Sequence, residues 1–163
     1  MNKVCFCLIL TMGTCLLSAQ NAKQREYNIK IISVEDSAFY IVLDRVLQSE
    51  KGSEYYSPSV SYGIRIFDKE EKKIIKIEVS DNLRLFAESE DLIGCFKYKE
   101  TNFFVLTEYP ELFTLTNKTN LLKIDKFQDI MEDDRWAVYY FGFDNENYYY
   151  YETQNYRPSS KYR

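Results

Sequence analysis

The sequence predicts one α+β domain: an antiparallel β-sheet packed on one main helix at about residues 37–50, with one or two short extra helices. Three observations predict this class. One segment has sustained helical periodicity, several segments alternate with the period of a strand, and no repeat or low-complexity linker divides the 163 residues. A single hydrophobic core therefore accounts for the pattern.

The N-terminal residues have the features of a secretory signal peptide. Lys3 precedes an apolar run over residues 4–17, and Ser18-Ala19-Gln20 follows with small residues at the expected cleavage point. The run of about fourteen residues is shorter than the roughly 20 that a membrane-spanning helix needs. We expect cleavage after Ala19, as in many Gram-negative bacteria, with lipidation at Cys15 or an uncleaved anchor as alternatives.

These features divide the chain into four parts. Residues 1–19 form the signal peptide, 20–25 a flexible polar lead, 26–153 the α+β domain and 154–163 a frayed, mildly basic tail. About 144 residues remain after cleavage, which suits one domain with one core. The mature protein is expected to be periplasmic or extracellular, with no membrane span.

The first strand and the main helix are predicted near the start of the domain. Tyr27–Val34 is rich in isoleucine and suits a strand, and Asp36 follows it as a helix N-cap. Gly52 is the expected terminator of a helix over residues 37–50. The apolar face of this helix comprises Phe39, Val42, Leu43, Val46 and Leu47.

Apolar residues that alternate with polar ones then predict a β-hairpin. Its two strands run from Val60 to Ile66 and from Ile75 to Val79, around a tip of mixed charge at residues 68–73. Residues 82–92 fit either a short helix or a strand. We favour a helix between Asp81 as the cap and Gly94 as the terminator.

Shorter elements are predicted in the second half of the chain. Strands are expected at Cys95–Lys99 and Phe103–Thr107 around a turn at residues 100–102, then at Leu112–Thr116. The triplet Asn117–Thr119 is interpreted as a turn. A capping box at Asp125–Gln128 predicts a further short helix. This order of elements resembles that of cystatin-like and related α+β rolls, but no motif ties the chain to a family and such a fold does not define a function.

The composition excludes several classes of chemistry. The chain has no histidine, and Cys95 is the only cysteine outside the signal peptide. Catalysis by Ser-His or Cys-His groups, zinc sites with histidine and intrachain disulfides are therefore not expected. We predict no metal and no cofactor, and Cys95 as a small buried apolar residue. A net charge of −4 disfavours nucleic acid as a partner.

The most distinctive segment is a C-terminal hairpin rich in aromatic residues. A turn at Asn145-Glu146 would pair strands Trp136–Phe143 and Tyr148–Thr153. The predicted cross-strand pairs are Phe143 with Tyr148, Gly142 with Tyr149, Phe141 with Tyr150 and Tyr140 with Tyr151. The face with phenylalanine is the expected core face, because phenylalanine has no polar atom to satisfy. The candidate ligand-binding residues on the opposite face are Trp136, Tyr140, Tyr149 and Tyr151, with Gly142 leaving room for a sugar ring or a peptide.

Three interpretations of this second aromatic face remain open. It is covered within the chain as ordinary core, it forms a homodimer or protein interface, or it binds a small ligand. The acidic groups Glu132-Asp133-Asp134 and Glu88, Glu90 and Asp91 are weaker candidates, since neither has the spacing of a calcium loop.

The expected function is that of an exported small bacterial domain that binds a protein or glycan of the envelope or extracellular space without catalysis. One alternative is a carboxylate-dependent hydrolase of polysaccharide or peptidoglycan. Another is an inhibitor of a secreted enzyme, with the loop Ser53–Ser59 as the contact. No catalytic residue is assigned.

Overall fold

The fold is α+β, as predicted. The computed structural model describes residues 25–52, 60–70, 72–124, 135–144 and 147–155. In this part of the chain the elements, in order, are β1 (Arg25–Val34), α1 (Phe39–Lys51), β2 (Ser61–Lys69), β3 (Lys72–Ser80), α2 (Leu83–Ala87), β4 (Gly94–Tyr98), β5 (Thr101–Val105), β6 (Phe113–Ile124), β7 (Arg135–Asp144) and β8 (Asn147–Asn155).

The eight strands form one mixed sheet in the order β6-β1-β4-β5-β2-β3-β7-β8. The predicted antiparallel hairpins β2–β3, β4–β5 and β7–β8 are confirmed. The prediction of a purely antiparallel sheet is wrong, because β1 pairs with β4 and β2 with β5 in parallel. The β4–β5 hairpin lies between β1 and β2. The alternation of apolar and polar residues within a strand does not reveal whether the neighbouring strand is parallel or antiparallel.

Helix α1 matches the predicted helix closely. Its N-cap residue is Ala38 and not the predicted Asp36, which lies two residues earlier and whose Oδ1 accepts a hydrogen bond of 2.8 Å from the backbone N–H of Ala38. Gly52 is the C-cap residue, as predicted, in a right-handed conformation with φ of −83°. The predicted apolar residues Phe39, Val42, Leu43 and Val46 are buried.

These helix residues belong to the larger of two core clusters, on the side of the sheet called here the inner face. The cluster includes Tyr62, Ile64 and Ile66 of β2 and Phe141 of β7. The ring of Phe39 lies 5.5 Å from that of Phe113 at the start of β6 and 5.8 Å from that of Tyr148 in β8, centroid to centroid. Both edge strands therefore approach the same residue of α1.

A smaller cluster lies on the opposite side of the sheet, called here the outer face. Phe86 of α2 packs there with Cys95 and Phe104, and Cys95 is buried as predicted. Helix α2 is shorter than the predicted segment, and its N-cap is Asn82 rather than Asp81. Gly94 does not terminate this helix; it begins β4, where a Cβ would lie 2.6 Å from the carbonyl oxygen of Lys30. Glycine is needed there because β1 approaches closely.

Two turn predictions need correction. The β4–β5 turn is at Lys99-Glu100, where both residues have positive φ, and not at residues 100–102. The triplet Asn117–Thr119 lies inside β6, which is longer than the predicted Leu112–Thr116 strand. The β1–β6 register shifts between Lys30 and Ile32, so the turn-forming residues mark a bulge within a strand.

Several predicted segments fall outside the described residues. They are the signal peptide, most of the polar lead, the loop at residues 53–59 and the short helix after Asp125. Strand β1 already begins at Arg25, and β8 continues to Asn155. Neither helix described here has the length and apolar character needed to cross a membrane.

Candidate functional site on the outer face

The register of the C-terminal hairpin agrees with the prediction near its turn. Three predicted cross-strand pairs are confirmed: Phe143 with Tyr148, Gly142 with Tyr149, and Phe141 with Tyr150. The predicted core face is also confirmed, because Tyr139 and Phe141 are buried in the inner cluster.

Farther from the turn the predicted register is wrong. Tyr140 pairs with Glu152 and not with Tyr151, because the pairing shifts by one residue between Tyr140 and Phe141. Tyr151 is thus an additional residue in β8, as in a β-bulge. Counting outward from a turn cannot detect such an insertion.

The four candidate residues have different positions. Tyr149 is exposed and Tyr140 is half-buried, both on the outer face. Trp136 and Tyr151 lie in β7 and β8 by their backbone, and their side chains are outside the described part of the chain. The structure therefore brings Tyr140 and Tyr149 to neighbouring positions of one surface.

The space expected above Gly142 is not open. A Cβ on Gly142 would collide with Cζ, Cε2 and Oη of Tyr149, so the phenol ring lies across this glycine. Tyr149 nevertheless keeps 37 % of its surface exposed. The absence of a side chain at Gly142 lets the Tyr149 ring pack against the backbone, and the remaining surface of the ring is available to a partner.

Cross-strand pairing extends this contact into an apolar row over four strands. Phe67 of β2 is opposite Ile74 of β3, which is opposite Gly142 of β7, which is opposite Tyr149 of β8. Phe67 is 39 % exposed, whereas Ile74 is 3 % exposed. The exposed part of the row is therefore the rings of Phe67 and Tyr149 at its two ends.

A polar row runs beside the apolar one. Arg65 and Lys76 are directly opposite each other, and Lys76 is opposite Tyr140. The buried carboxylate of Glu78 lies between the two cations, 2.8 Å from Nζ of Lys76 and 3.6 Å from Nε of Arg65. Arg65 also contacts Asp91 at 2.6 Å. The repulsion between the cations of Arg65 and Lys76 is therefore offset by the carboxylates of Glu78 and Asp91.

On the other side of the apolar row, at the hairpin tip, Lys69 and Lys72 are also directly opposite each other. Both are exposed. Among the described residues, no carboxylate lies within ion-pair distance of either ammonium group. The nearby pair Asp68–Lys73 is on the inner side of the hairpin, since residues adjacent along a strand point to opposite faces.

The inner face uses tyrosine differently. Tyr139 donates a hydrogen bond of 2.5 Å to the buried Glu50, and Tyr148 donates one of 2.5 Å to Asp36. Burial, and then the neighbouring carboxylate, raise the pKa of both phenols well above the usual 10.0. These hydroxyls stay protonated and connect the hairpin to Glu50 in helix α1 and to Asp36 just before it.

The acidic group near α2 does not converge on one site. Glu88 contacts Arg84, Tyr27 and Arg25, which lower the pKa of its carboxyl to about 2. Asp91 instead faces Arg65. The other predicted group, Glu132-Asp133-Asp134, is outside the described residues. Where side chains are described, no group of three or more potential metal ligands is present.

The largely apolar depression beside the loop after β5 is a weaker candidate. It has a volume of about 250 Å³ and is lined by Ile32, Ile93, Tyr109 and Leu115 among others. Glu108 is the one carboxylate that lines it. An adjoining depression that shares Glu108 is lined by a second carboxylate, Glu26, which forms an ion pair of 3.2 Å with Lys123.

Sequence reasoning missed Phe67, Lys69 and Lys72. Alternation in β2 already placed Phe67 opposite to the core residues, which was the available signal. Its proximity to Tyr149 depends on the pairing of β3 with β7, which are more than fifty residues apart in the sequence. Comparison with protein-family models, curated proteins and solved structures found no match.

Proposed function

We propose that this protein is an exported bacterial domain that binds a protein or glycan of the cell envelope or extracellular space, and that it does so without catalysis. The observation that carries the proposal is the outer face, where exposed Phe67 and Tyr149 lie between two rows that contain cations. Aromatic rings with an exposed surface are favoured at binding sites, because they bury much area with little loss of side-chain entropy.

The difference in packing between the inner and outer faces of the sheet supports the same proposal. Helix α1 is taken as the one main helix against which the inner face packs. Phe86 of α2 lies against Gly63 on the outer side of β2, and among the described residues the rest of the outer face of β2, β3, β7 and β8 is left for a partner. Of the described carboxylates on this surface, Glu78 is held by Lys76 and Arg65, and Glu152, opposite Tyr140, accepts a hydrogen bond from the Gln154 side chain. This arrangement favours binding over acid-base chemistry.

Co-sedimentation with envelope preparations of a Gram-negative bacterium tests binding. We expect the purified protein to bind and Tyr149→Ala to weaken binding about tenfold, the loss of a central aromatic contact. Tyr150→Ala is the matched control, because Tyr150 is equally exposed but lies on the inner side of the same strand. Equal binding by Tyr149→Ala and the unchanged protein would overturn the assignment.

Export has its own test. The full chain is produced in a Gram-negative host, and the mass of the protein from the periplasm is measured. We expect a mature chain that starts at Gln20, since Ala19 is the predicted cleavage point. A diacylglyceryl group on Cys15 would replace simple cleavage by lipid anchoring, and an unprocessed cytoplasmic chain would contradict export.

A further inference from the structure

We propose that the protein has a second binding site, a groove along the edge of β1 that binds the C-terminal end of another polypeptide in an extended conformation. The bound segment pairs with β1 as an additional strand, its terminal carboxylate lies near Lys30, and a basic side chain faces Glu108. The groove is the depression lined by both Glu26 and Glu108, and it shares no lining residue with the row of Phe67 and Tyr149.

The position of the groove follows from unequal strand lengths. β1 starts at Arg25, but in the described part of the chain it pairs with β4 only at Ile31, opposite Cys95. β4 itself starts at Gly94, so the half of β1 before Ile31 extends beyond it. A depression of about 510 Å³ lies beside this half. Its volume is within the range of sites that hold ligands.

The depression is lined by the edge of β1 and not by one of its faces. Five consecutive residues of β1 line it, residues 26–30. Successive side chains of a strand point to opposite faces, so a depression on one face would be lined by every second residue. The other lining residues include Leu92, which packs on the outer cluster, and Leu115, which is opposite Ile32 of the inner cluster. The groove therefore lies between the two faces, where a neighbouring strand would lie.

The direction of the backbone groups beside the groove follows from two contacts. A Cβ on Gly94 would lie 2.6 Å from the carbonyl oxygen of Lys30, so this carbonyl points towards β4. The carbonyl oxygen of Ile31 points the other way, because it accepts a hydrogen bond of 2.9 Å from Oγ1 of Thr116 in β6. Backbone groups alternate in direction along a strand, so the N–H and C=O of Asn28 face the groove. An extended polypeptide carries matching groups at the same spacing, and strand addition is therefore the expected mode of binding.

The charges on the two walls indicate which part of a polypeptide binds. Lys30 is exposed and lines the groove at the end that Gly94 closes, where it suits a terminal carboxylate. Glu108 is exposed on the other wall and suits a lysine or arginine side chain of the same segment. Glu26, farther from Gly94, already forms an ion pair of 3.2 Å with Lys123. Lys30 and Glu108 together favour a C-terminal segment with a basic residue, running parallel to β1.

The first test uses a fluorescent hexapeptide, Thr-Lys-Thr-Val-Thr-Val with a free C terminus, and measures its binding to the purified protein by anisotropy. A generic strand-forming sequence is a suitable probe because backbone groups supply the main contacts. We expect saturable binding that weakens about fivefold when the C terminus is amidated. N-methylation of alternate residues should abolish binding in one of two staggered peptides, the one whose N–H groups face β1. No binding of the free peptide, or equal binding of the amidated peptide or of both N-methylated peptides, overturns the inference.

Variants place the peptide in the groove. Asn28→Pro removes the N–H that faces the groove and keeps the pairing with β6, since proline is tolerated where a strand's N–H points away from its partner. We expect at least tenfold weaker peptide binding, whereas Asn28→Ala, which keeps the N–H, binds normally. Thermal unfolding of both variants verifies the fold. Equal binding by Asn28→Pro and the unchanged protein overturns the inference.

Charge variants test the two ends of the assignment. Lys30→Gln and Glu108→Gln should each weaken binding about threefold. With the amidated peptide, Lys30→Gln should have no further effect, because the partner of the lysine is already removed. Glu111→Gln is the matched control for Glu108, an exposed carboxylate between β5 and β6 that does not line the groove. An equal loss in Glu111→Gln would contradict the contact with Glu108.

Hydrogen exchange tests the groove even where Asn28→Pro does not fold. The amide of Asn28 should exchange faster than that of Ile29, which faces β6, and the peptide should slow it at least tenfold. Tyr149→Ala should bind the peptide normally, so failure at this groove leaves the outer-face proposal standing. Slow exchange at Asn28 in the free protein would show that the groove is already filled, and this result overturns the inference.

Discussion

The two faces of the β7–β8 hairpin use the same residue type for different purposes. On the inner face, Tyr139 and Tyr148 donate hydrogen bonds to carboxylates of the segment that contains α1. On the outer face, Tyr149 covers a glycine and keeps more than a third of its surface exposed. Tyr148 and Tyr149 are adjacent in sequence, so the side of the strand decides whether a tyrosine serves the fold or a partner.

The largest expected difference between the faces is in packing. Phe141→Ala removes a ring that is 2 % exposed and leaves a cavity in the inner cluster. We expect it to lower the free energy of unfolding by about 4 kcal/mol. Tyr149→Ala on the outer face should cost less than about 1 kcal/mol. Chemical denaturation measures both, and similar losses would contradict the assignment of the two faces.

A smaller effect is expected from the hydroxyl of Tyr139. Tyr139→Phe removes the hydrogen bond to Glu50, a carboxylate that is 1 % exposed, and should cost about 2 kcal/mol. The comparison variant is Tyr98→Phe, which loses a hydrogen bond of 2.9 Å to the partly exposed Asp44 and should cost about half as much. Equal costs would show that burial of the carboxylate does not matter.

Alkaline pH should weaken the inner face selectively. The pKa values of Tyr139 and Tyr148 are raised above 10.0 in the folded protein. Their contribution to stability is complete below pH 10.0 and is lost as the pH rises towards the folded values. We expect these two phenols to ionise only when the protein unfolds. Absorbance at alkaline pH, followed together with circular dichroism, measures this, and ionisation without unfolding would contradict it.

The smallest effect is expected for an exposed tyrosine–carboxylate contact on the outer side, between Tyr27 and Glu88. The pKa of Glu88 is lowered from 4.5 to about 2, so its contribution is present above pH 4.5 and lost as the pH falls through about 2. Because the side chain is 39 % exposed, Glu88→Gln should cost about 1 kcal/mol or less at neutral pH. Denaturation at pH 7 and pH 2 measures the difference between Glu88→Gln and the unchanged protein, which should be clearly smaller at the lower pH.

The sequence predicted the local elements well and the assembled surface poorly. Burial selects apolar residues at helical or alternating positions, which is why α1, the β2–β3 hairpin and the core face of β7 could be predicted. The outer rows depend on the long-range pairing of β3 with β7. The extra residue Tyr151 and the bulge opposite Ile31 follow from strand twist and register, which leave no periodic signal.

The most direct test of the account compares Tyr148→Phe with Tyr149→Ala, two changes at adjacent positions of β8, by unfolding free energy and by co-sedimentation with envelope preparations. We expect Tyr148→Phe to lower stability by about 1.5 kcal/mol and to leave the affinity unchanged. Tyr149→Ala should leave stability within about 1 kcal/mol and weaken binding about tenfold. Loss of affinity in Tyr148→Phe with unchanged affinity in Tyr149→Ala would contradict the account.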